Sequence, residues 1–453
     1  MHPVQPLVSA AWRLGAKLLI LVGGLVLLWK GILPATGNAR GDFANYYTAS
    51  KLVAEGISIE PAYSDFAWFQ RQMDRHGIQG QVGGWIPHPP PAALLFLPLT
   101  PLDPVAARTL WTLCNVVLVV LNVWLLARVS GLDWRLAAVL LLACGYGLLN
   151  NFLFGQIYLL LTASILGGLE LARRGHPVAA GIVLGSLVPV KYFGGFFLLY
   201  FAWKRQWKLF WAGAASALAM AMASLAAVGW RAWESFLLQV LPRHLTGEIQ
   251  DPYSVAFQSW NSLLRRLFLF EATLNPRPLA ESPLAFFIFK SLLFWGLAAL
   301  CLLIFIRMRF PSSEQQRLFE LGWIPLVVLL LSPGSATYHF LLLSISAACW
   351  VGLAILQGRL GTVLLLAGLF AAVNLPHTVW LRPLAQGAWM PLAYSRLWLL
   401  TAFAAAAVLA FRAQLKGRVS VRGGAVAAVS ILALLQASAS YWSYRSRPAD
   451  SAV

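Results

Sequence analysis

Residues 16 to 34 read AKLLILVGGLVLLWKGILP, nineteen residues in which Lys17 and Lys30 are the only charges. Wound as an α-helix at 1.5 Å per residue, such a run is about 28 Å long, enough to cross the ~30 Å of hydrocarbon in a bilayer. Runs of this kind recur through the chain. After the first, the sequence predicts spans over 104 to 128, 135 to 152, 156 to 173, 177 to 190, 192 to 203, 208 to 229, 284 to 306, 319 to 332, 336 to 356, 360 to 377, 392 to 411 and 423 to 441, thirteen in all. The first span is expected to remain as a signal anchor rather than to be cleaved.

Composition agrees. Of 453 residues, 59% are hydrophobic and only 11% charged, against about 25% charged in water-soluble chains. The expected fold is all-α and polytopic, one integral membrane domain over 1 to 453 rather than two or three soluble units. The four cysteines, Cys114, Cys144, Cys301 and Cys349, all lie in apolar segments and read as small buried hydrophobes without a disulfide framework.

The net charge of +18 has no nucleic-acid signature behind it, because no basic stretch is interleaved with aromatics in a groove-like pattern. The positive-inside rule accounts for it instead. With the N-terminus inside, the cytoplasmic ends carry Arg13, Lys17, Arg128, Arg135, Arg173, Arg174, Lys204, Arg205, Lys208, Arg307, Arg309, Arg317, Arg359, Arg412, Lys416, Arg418 and Arg422. Against these stand four acids, Asp133, Glu170, Glu314 and Glu320. The expected orientation is a cytoplasmic N-terminus in the plasma membrane and an external C-terminus.

Two segments, 35 to 103 and 230 to 283, are too long for simple turns and fall on the external side. YSDFAWFQRQM places Phe66, Phe69 and Met73 at helical spacing, and WRAWESFLLQVL does the same with Trp230, Trp233, Leu237 and Val240, so each is expected to hold a helix flat on the bilayer surface. Between them WIPHPPPAALLFLPLTPLDP (85 to 104) is apolar but carries seven prolines. So few backbone donors suit a re-entrant or surface segment packed on protein.

Several chemistries leave no trace in the sequence. No GxGxxG follows a strand, no Walker A run occurs, and neither DxD nor HExxH is present. A nucleotide-dependent cytosolic activity is therefore not expected. What remains is a set of polar residues that the topology brings to the outer face: Asp42, Asn150, Asn151, Gln156, Lys191, Ser332, Ser335, Tyr338 and His339. Convergence of polar groups from distant segments is how a site is built among membrane helices.

Each of these residues has a structural alternative. Asp42 suits either a general base or a cap for the helix that follows it. Lys191 suits either a ligand contact on a broken helix or a side chain snorkelling to headgroups. His339 suits packing as well as binding, and Arg265 and Arg266 suit lipid phosphates as well as a substrate phosphate. Tyr46 and Tyr47 suit stacking on a sugar ring or a place in the interfacial aromatic belt.

Six stretches, in this order, resemble one known family: GDFANYYTASKLVAEG (41 to 56), HPPPAALLFLPLTPLDPVAARTLW (88 to 111), FGQIYLLL (154 to 161), LARRGHPVAAGIVLGSLVPVKYF (171 to 193), FQSWNSLLRRLF (257 to 268) and SPGSATYHFLL (332 to 342). Together they resemble the family-87 glycosyltransferases of the GT-C superfamily, which include polyprenyl-phosphate-mannose-dependent mannosyltransferases. His88 stands where that family usually has tyrosine, Tyr158 where asparagine often follows GQ, and Phe257 where asparagine often precedes QS.

The resemblance implies transfer of a hexose, mannose first, from a polyprenyl-phosphate donor to a glycolipid or glycan acceptor on the external face. Asp42 is the implied catalytic base, and Lys191 and His339 are implied contacts to the donor. Gln156, Arg265, Tyr46 and Tyr47 complete the expected donor-binding set. A lipid-phosphate leaving group departs without a protonating acid, so one base suffices, unlike the two carboxylates of glycosidases. In this scheme the acceptor hydroxyl attacks the anomeric carbon in line and inverts it, with no cofactor or metal required; the partners are the donor, the acceptor and membrane lipids. The competing expectations are a polytopic transporter, which predicts an internal repeat and midplane charges, a lipid-linked-glycan ligase or polymerase, and a non-catalytic lipid-binding scaffold.

Overall fold

The computed structural model describes residues 10–249, 251–415 and 423–445, and its regular elements are helices throughout, with no strand among the described residues. Lys416, Arg418 and Arg422, counted above among the basic ends, lie outside the described residues. The protein is a helical membrane protein, but thirteen helices of membrane-crossing length are not present. Among the described residues, six helices are long and apolar enough to cross: Trp12–Ala35, Pro104–Ser130, Trp207–Val228, Pro283–Arg307, Thr337–Leu356 and Gly387–Ala410. A bent pair, Trp134–Leu142 with Gly145–Phe154, makes a seventh if taken as one span.

Several of the remaining apolar runs are helical but short. Pro177–Ser186 has 10 residues and Phe193–Trp203 has 11, so each is only about 15 to 17 Å long, roughly half the hydrocarbon thickness. Hydropathy rewards burial in protein and in lipid alike, which is why these runs read as spans. Gly181 and Gly185 let Pro177–Ser186 meet the Trp207–Val228 helix backbone to backbone, because a Cβ on either would collide with the Leu209 and Gly213 carbonyls. The last expected span falls within the helix Gly423–Arg445, which packs on Pro283–Arg307 through Tyr441 against Phe287 and Gln436 accepting from Trp295 Nε1. Cys144, Cys301 and Cys349 are buried as expected, whereas Cys114 faces outward.

The longest helix sets the scale. Asp103 caps Pro104–Ser130, its Oδ1 accepting from the Val105 and Ala106 N–H groups, and Pro104 occupies the first turn, where no N–H is needed. Gly131 ends the helix in the left-handed conformation at φ 74°. Arg108 near its start and Arg128 near its end are about 30 Å apart along the axis.

Around Arg128 the expected basic ends gather. Glu170 accepts from Arg128, Arg173 and Arg174 at 3.2, 2.7 and 2.7 Å, Lys204 Nζ lies 2.6 Å from Glu320, and Arg317 bonds the Val129 carbonyl at 2.9 Å. The polar residues discussed below collect near the other end.

Residues 35–103 build a second, smaller core. Phe43, Tyr46, Phe69, Met73, Trp85 and Phe96 are buried in it together with Val228, Ala232, Phe236 and Val240. The expected helix Phe66–Arg75 is present, its Phe69 and Met73 face packed on this core and not laid on a surface, with Phe66 left exposed. In the 230–241 stretch the inward face is Ala232, Phe236 and Val240, while Trp230 and Leu237 point out. A π-helical turn occupies Phe236–Val240. The proline-rich stretch forms two 3₁₀ turns, Pro90–Leu94 and Leu97–Leu99, packed on protein.

Candidate active site

The site is organised by a break in the pair Trp134–Leu142 and Gly145–Phe154, which meet at 69°. Gly145 sits at φ 45°, and the Tyr146 N–H bonds the Asn374 carbonyl at 3.0 Å instead of continuing the first helix. The second helix then ends at Phe154. Carbonyls at its end are held by the Pro104–Ser130 helix: Arg108 Nη2 donates to Phe152 O at 2.5 Å and Leu153 O at 3.1 Å, and Trp111 Nε1 to Gly155 O at 3.0 Å.

Gly155, at φ 66°, reverses the chain where any Cβ would strike the Arg108 guanidinium. Asn151 closes the hairpin. Its Oδ1 accepts from Tyr158 N–H at 3.0 Å, and its amide donates to Asn115 Oδ1 at 3.0 Å.

This hairpin delivers Gln156. Its Nε2 donates to Asp42 Oδ2 at 2.5 Å, and its Oε1 accepts from the Tyr46 hydroxyl at 3.4 Å. Asp42 is the first residue of the helix Asp42–Ala54, whose N-cap is Gly41. Gly41 is pinned by the Gln81 amide, which accepts from its N–H at 2.8 Å and donates to its carbonyl at 2.9 Å, and it abuts the Phe154 backbone. The carboxylate is thus held from another element and the capping position belongs to Gly41, so the helix-cap alternative for Asp42 does not apply.

Asp42 opens onto a cavity of about 250 Å³. Lys191, His339, His88, His244, Tyr158 and Tyr338 are among the side chains lining it, and among the described residues Asp42 is the one carboxylate in that wall. Burial pushes the Asp42 carboxyl above its ordinary value. The Gln156 hydrogen bond, the Lys191 charge, the neighbouring Tyr338 hydroxyl and Arg108 oppose that rise without cancelling it. A carboxylate in this state binds a proton more tightly than one in water, which is what a general base needs.

Lys191 joins the short helices Pro177–Ser186 and Phe193–Trp203, as a broken-helix reading requires. Its Nζ lies 6.0 Å from the Tyr158 ring centroid, and among the described residues no carboxylate lies within ion-pair distance of it. Lys191 is one of the residues lining the cavity onto which Asp42 opens, which favours the ligand-contact alternative over snorkelling.

His339 stacks on Tyr158 at 4.9 Å and meets Phe193 edge-on at 6.0 Å. The Tyr158 hydroxyl and His339 Nδ1 are buried without a partner, as is Oδ1 of Asn261, another lining residue. Such atoms in a cavity wall have capacity for hydrogen bonds to water or to a ligand.

Four expected residues lie elsewhere. Gln156 stands behind Asp42 and positions it. Tyr46 is fully buried, stacked on Phe96 and edge-on to His88, so it neither lies against a bound sugar nor reaches an interfacial belt. Tyr47 is buried against Phe43 and donates to the Leu102 carbonyl at 2.7 Å. Both tyrosines are core residues because the helix that carries them is enclosed by residues 85–103.

Arg265 also does not line the cavity; it is buried 5.2 Å from the Phe286 ring centroid and 3.9 Å from Glu248. Arg266 braces the Tyr253 and Ala385 carbonyls and does not face lipid. His244 was not legible in the sequence, because it sits in a loop helix with no motif around it; His88 stood in one, but with no role attached. Although three histidines line the cavity, the described residues contain no group of three or more His, Cys, Asp or Glu placed to hold a metal ion.

Broken helices and loops that carry polar groups to one cavity, in a chain with several long apolar helices, are the features of a polytopic membrane protein with a candidate site among its helices. The sequence model of glycosyltransferase family 87 matches residues 85–333, more than half of the chain. The chain belongs to glycosyltransferase family 87 and is a membrane glycosyltransferase. No curated protein and no solved structure matches it. The matched segment contains His88, Arg108, Gln156, Lys191 and Arg265; Asp42 and His339 lie on either side of it, and the fold brings them to the same cavity.

Proposed function

We propose that this glycosyltransferase moves one hexose, mannose first among the candidates, from a polyprenyl-phosphate donor to a hydroxyl of a glycan or glycolipid on the external face of the plasma membrane, with inversion at the anomeric carbon. The observation that carries this reading is the facing of a single proton-avid carboxylate, Asp42, and an unpaired ammonium, Lys191, in one small cavity.

In the reaction Asp42 takes the proton of the acceptor hydroxyl as its oxygen bonds to the anomeric carbon. The bond from that carbon to the phosphate oxygen breaks, and its electron pair leaves with the polyprenyl phosphate. Lys191 stabilises the charge that develops there, with His339 beside it. Gln156 keeps Asp42 in place through its hydrogen bond, and a β-linked donor yields an α-linked product.

The external placement is supported by the gathering of basic helix ends opposite the cavity. The position of Lys191 between two short apolar helices suits a phosphate that arrives from within the bilayer. A volume of about 250 Å³ lies below the 300 to 1,000 Å³ usual for drug-sized ligands, which favours a monosaccharide donor over the oligosaccharide of a ligase or polymerase. Purified protein incubated with a panel of synthetic polyprenyl-phosphate hexoses tests the reading. Turnover of one of them is expected; transfer only from nucleotide sugars or from lipid-linked oligosaccharides would refute it.

A further inference from the structure

His88 is held in one orientation in the cavity wall, and that orientation has a chemical meaning. Its Nδ1 lies 2.6 Å from the Trp85 carbonyl oxygen. A carbonyl can only accept, so Nδ1 carries the hydrogen and donates it. The ring is clamped by stacking on Trp85 at 5.1 Å and by the edge of Tyr46 at 4.6 Å, while the His88 carbonyl accepts from the Tyr63 hydroxyl at 2.9 Å. With Nδ1 occupied and the ring unable to turn, the lone pair on Nε2 is the only hydrogen-bonding capacity His88 has left for the cavity it lines.

A protonated His88 would attract a phosphate, but this one does not hold a second proton. Burial first, and then the Lys191 charge, push its pKa down to about 3, against the weaker opposing effect of the Trp85 carbonyl. At neutral pH the ring presents a pure acceptor. Phosphate oxygens carry no hydrogen for such an acceptor, whereas sugar hydroxyls do.

We propose that His88 reads one hydroxyl of the sugar bound in the cavity, Nε2 accepting a hydrogen bond from it, and so helps to determine which sugar is used. This rests on the polyprenyl-phosphate hexose reading above. The cavity then divides by chemistry: the phosphate lies toward Lys191 and a hydroxylated face of a sugar lies toward His88. That sugar belongs either to the donor or to the acceptor.

The test uses full-length protein and two sets of monodeoxy analogues, one of the donor hexose and one of the acceptor sugar. kcat/KM is compared for wild type, His88→Phe, which keeps a ring and loses Nε2, and His88→Gln, which returns an amide oxygen near the same place. Wild type is expected to lose about 3- to 10-fold on removal of one particular hydroxyl, the scale of one neutral hydrogen bond. His88→Phe is expected to show that loss on the intact substrate and no further loss on that deoxy compound, with partial recovery in His88→Gln.

The series in which the cycle closes, donor or acceptor, names the source of the hydroxyl. The ratio between intact and deoxy substrates is independent of how much protein folds, so a poorly folding variant still gives the answer. Equal losses of His88→Phe across every deoxy compound, or wild-type kinetics in His88→Phe, overturn the proposal and leave the preceding reading standing. A wild-type chain that turns over no polyprenyl-phosphate hexose overturns that reading, and this inference with it.

Discussion

Replacing Asp42 by Asn removes the proposed base while keeping its shape. The Asn Oδ1 can still accept from Gln156 Nε2, so the Gln156 link to Tyr46 is retained. The folded state gives up a buried carboxylate that burial disfavours in its charged form, so no loss of folded protein is expected. The effect on rate is different. A positioned general base contributes about 10² to 10⁴ in rate, or roughly 2.7 to 5.4 kcal/mol of barrier, and among the described residues Asp42 is the one carboxylate lining the cavity, so none of them substitutes.

The assay is initial-rate transfer from the best hexose donor, normalised to the amount of protein, across pH. Wild-type activity depends on the deprotonated carboxylate. It is therefore expected to fall as pH drops through the Asp42 pKa, at a pH above the ordinary value of 3.8 because that pKa is raised. Asp42→Asn should show a residual rate without that acidic limb. A variant at normal abundance that transfers sugar at the wild-type rate, or that keeps the same acidic limb, would show that Asp42 is not the base.

Lys191→Met should raise the donor KM, and because the Lys191 charge lowers the Asp42 pKa, it should also move the acidic limb of kcat/KM to higher pH; an unmoved limb would separate the two residues. Gly155→Ala and Gly56→Ala compare two glycines of nearly equal φ, 66° and 69°. Both bear the left-handed cost of about 1 to 2 kcal/mol, but only Gly155 has the Arg108 guanidinium where its Cβ would go, whereas Gly56 has nothing within 4 Å. Thermal unfolding in detergent should find Gly155→Ala clearly the less stable of the two, and equal stabilities would remove Arg108 from the account of how the hairpin is held.

Part of the cavity lining was conspicuous in the sequence. Asp42, Lys191 and His339 stood out because ionisable groups are rare in so apolar a chain and so are conspicuous, and all three line one cavity. Tyr46 and Tyr47 were misplaced for the opposite reason: an amphipathic ring suits a core, an interface and a sugar equally well, and only the packing of residues 85–103 over their helix decides among these. Arg265 and Arg266 read as surface cations because a guanidinium normally seeks water. Arg266 instead finds the Tyr253 and Ala385 carbonyls, and Arg265 the rings of Tyr253 and Phe286.

By itself the sequence determined that this is a helical membrane protein, because repeated uncharged runs of about 20 residues have no stable home in water. It also determined where charge can lie, because basic residues collect at the ends of those runs. Tertiary structure decided how many of the runs are long enough to cross, because breaks at Gly145 and around Lys191 are made by contacts between helices that hydropathy does not register. It alone decided that Gln156 holds Asp42 and that Trp85 leaves His88 a free acceptor on the cavity. Hydrogen bonds are directional and short, so which groups form them follows from where the backbone turns and not from the order of residues along it.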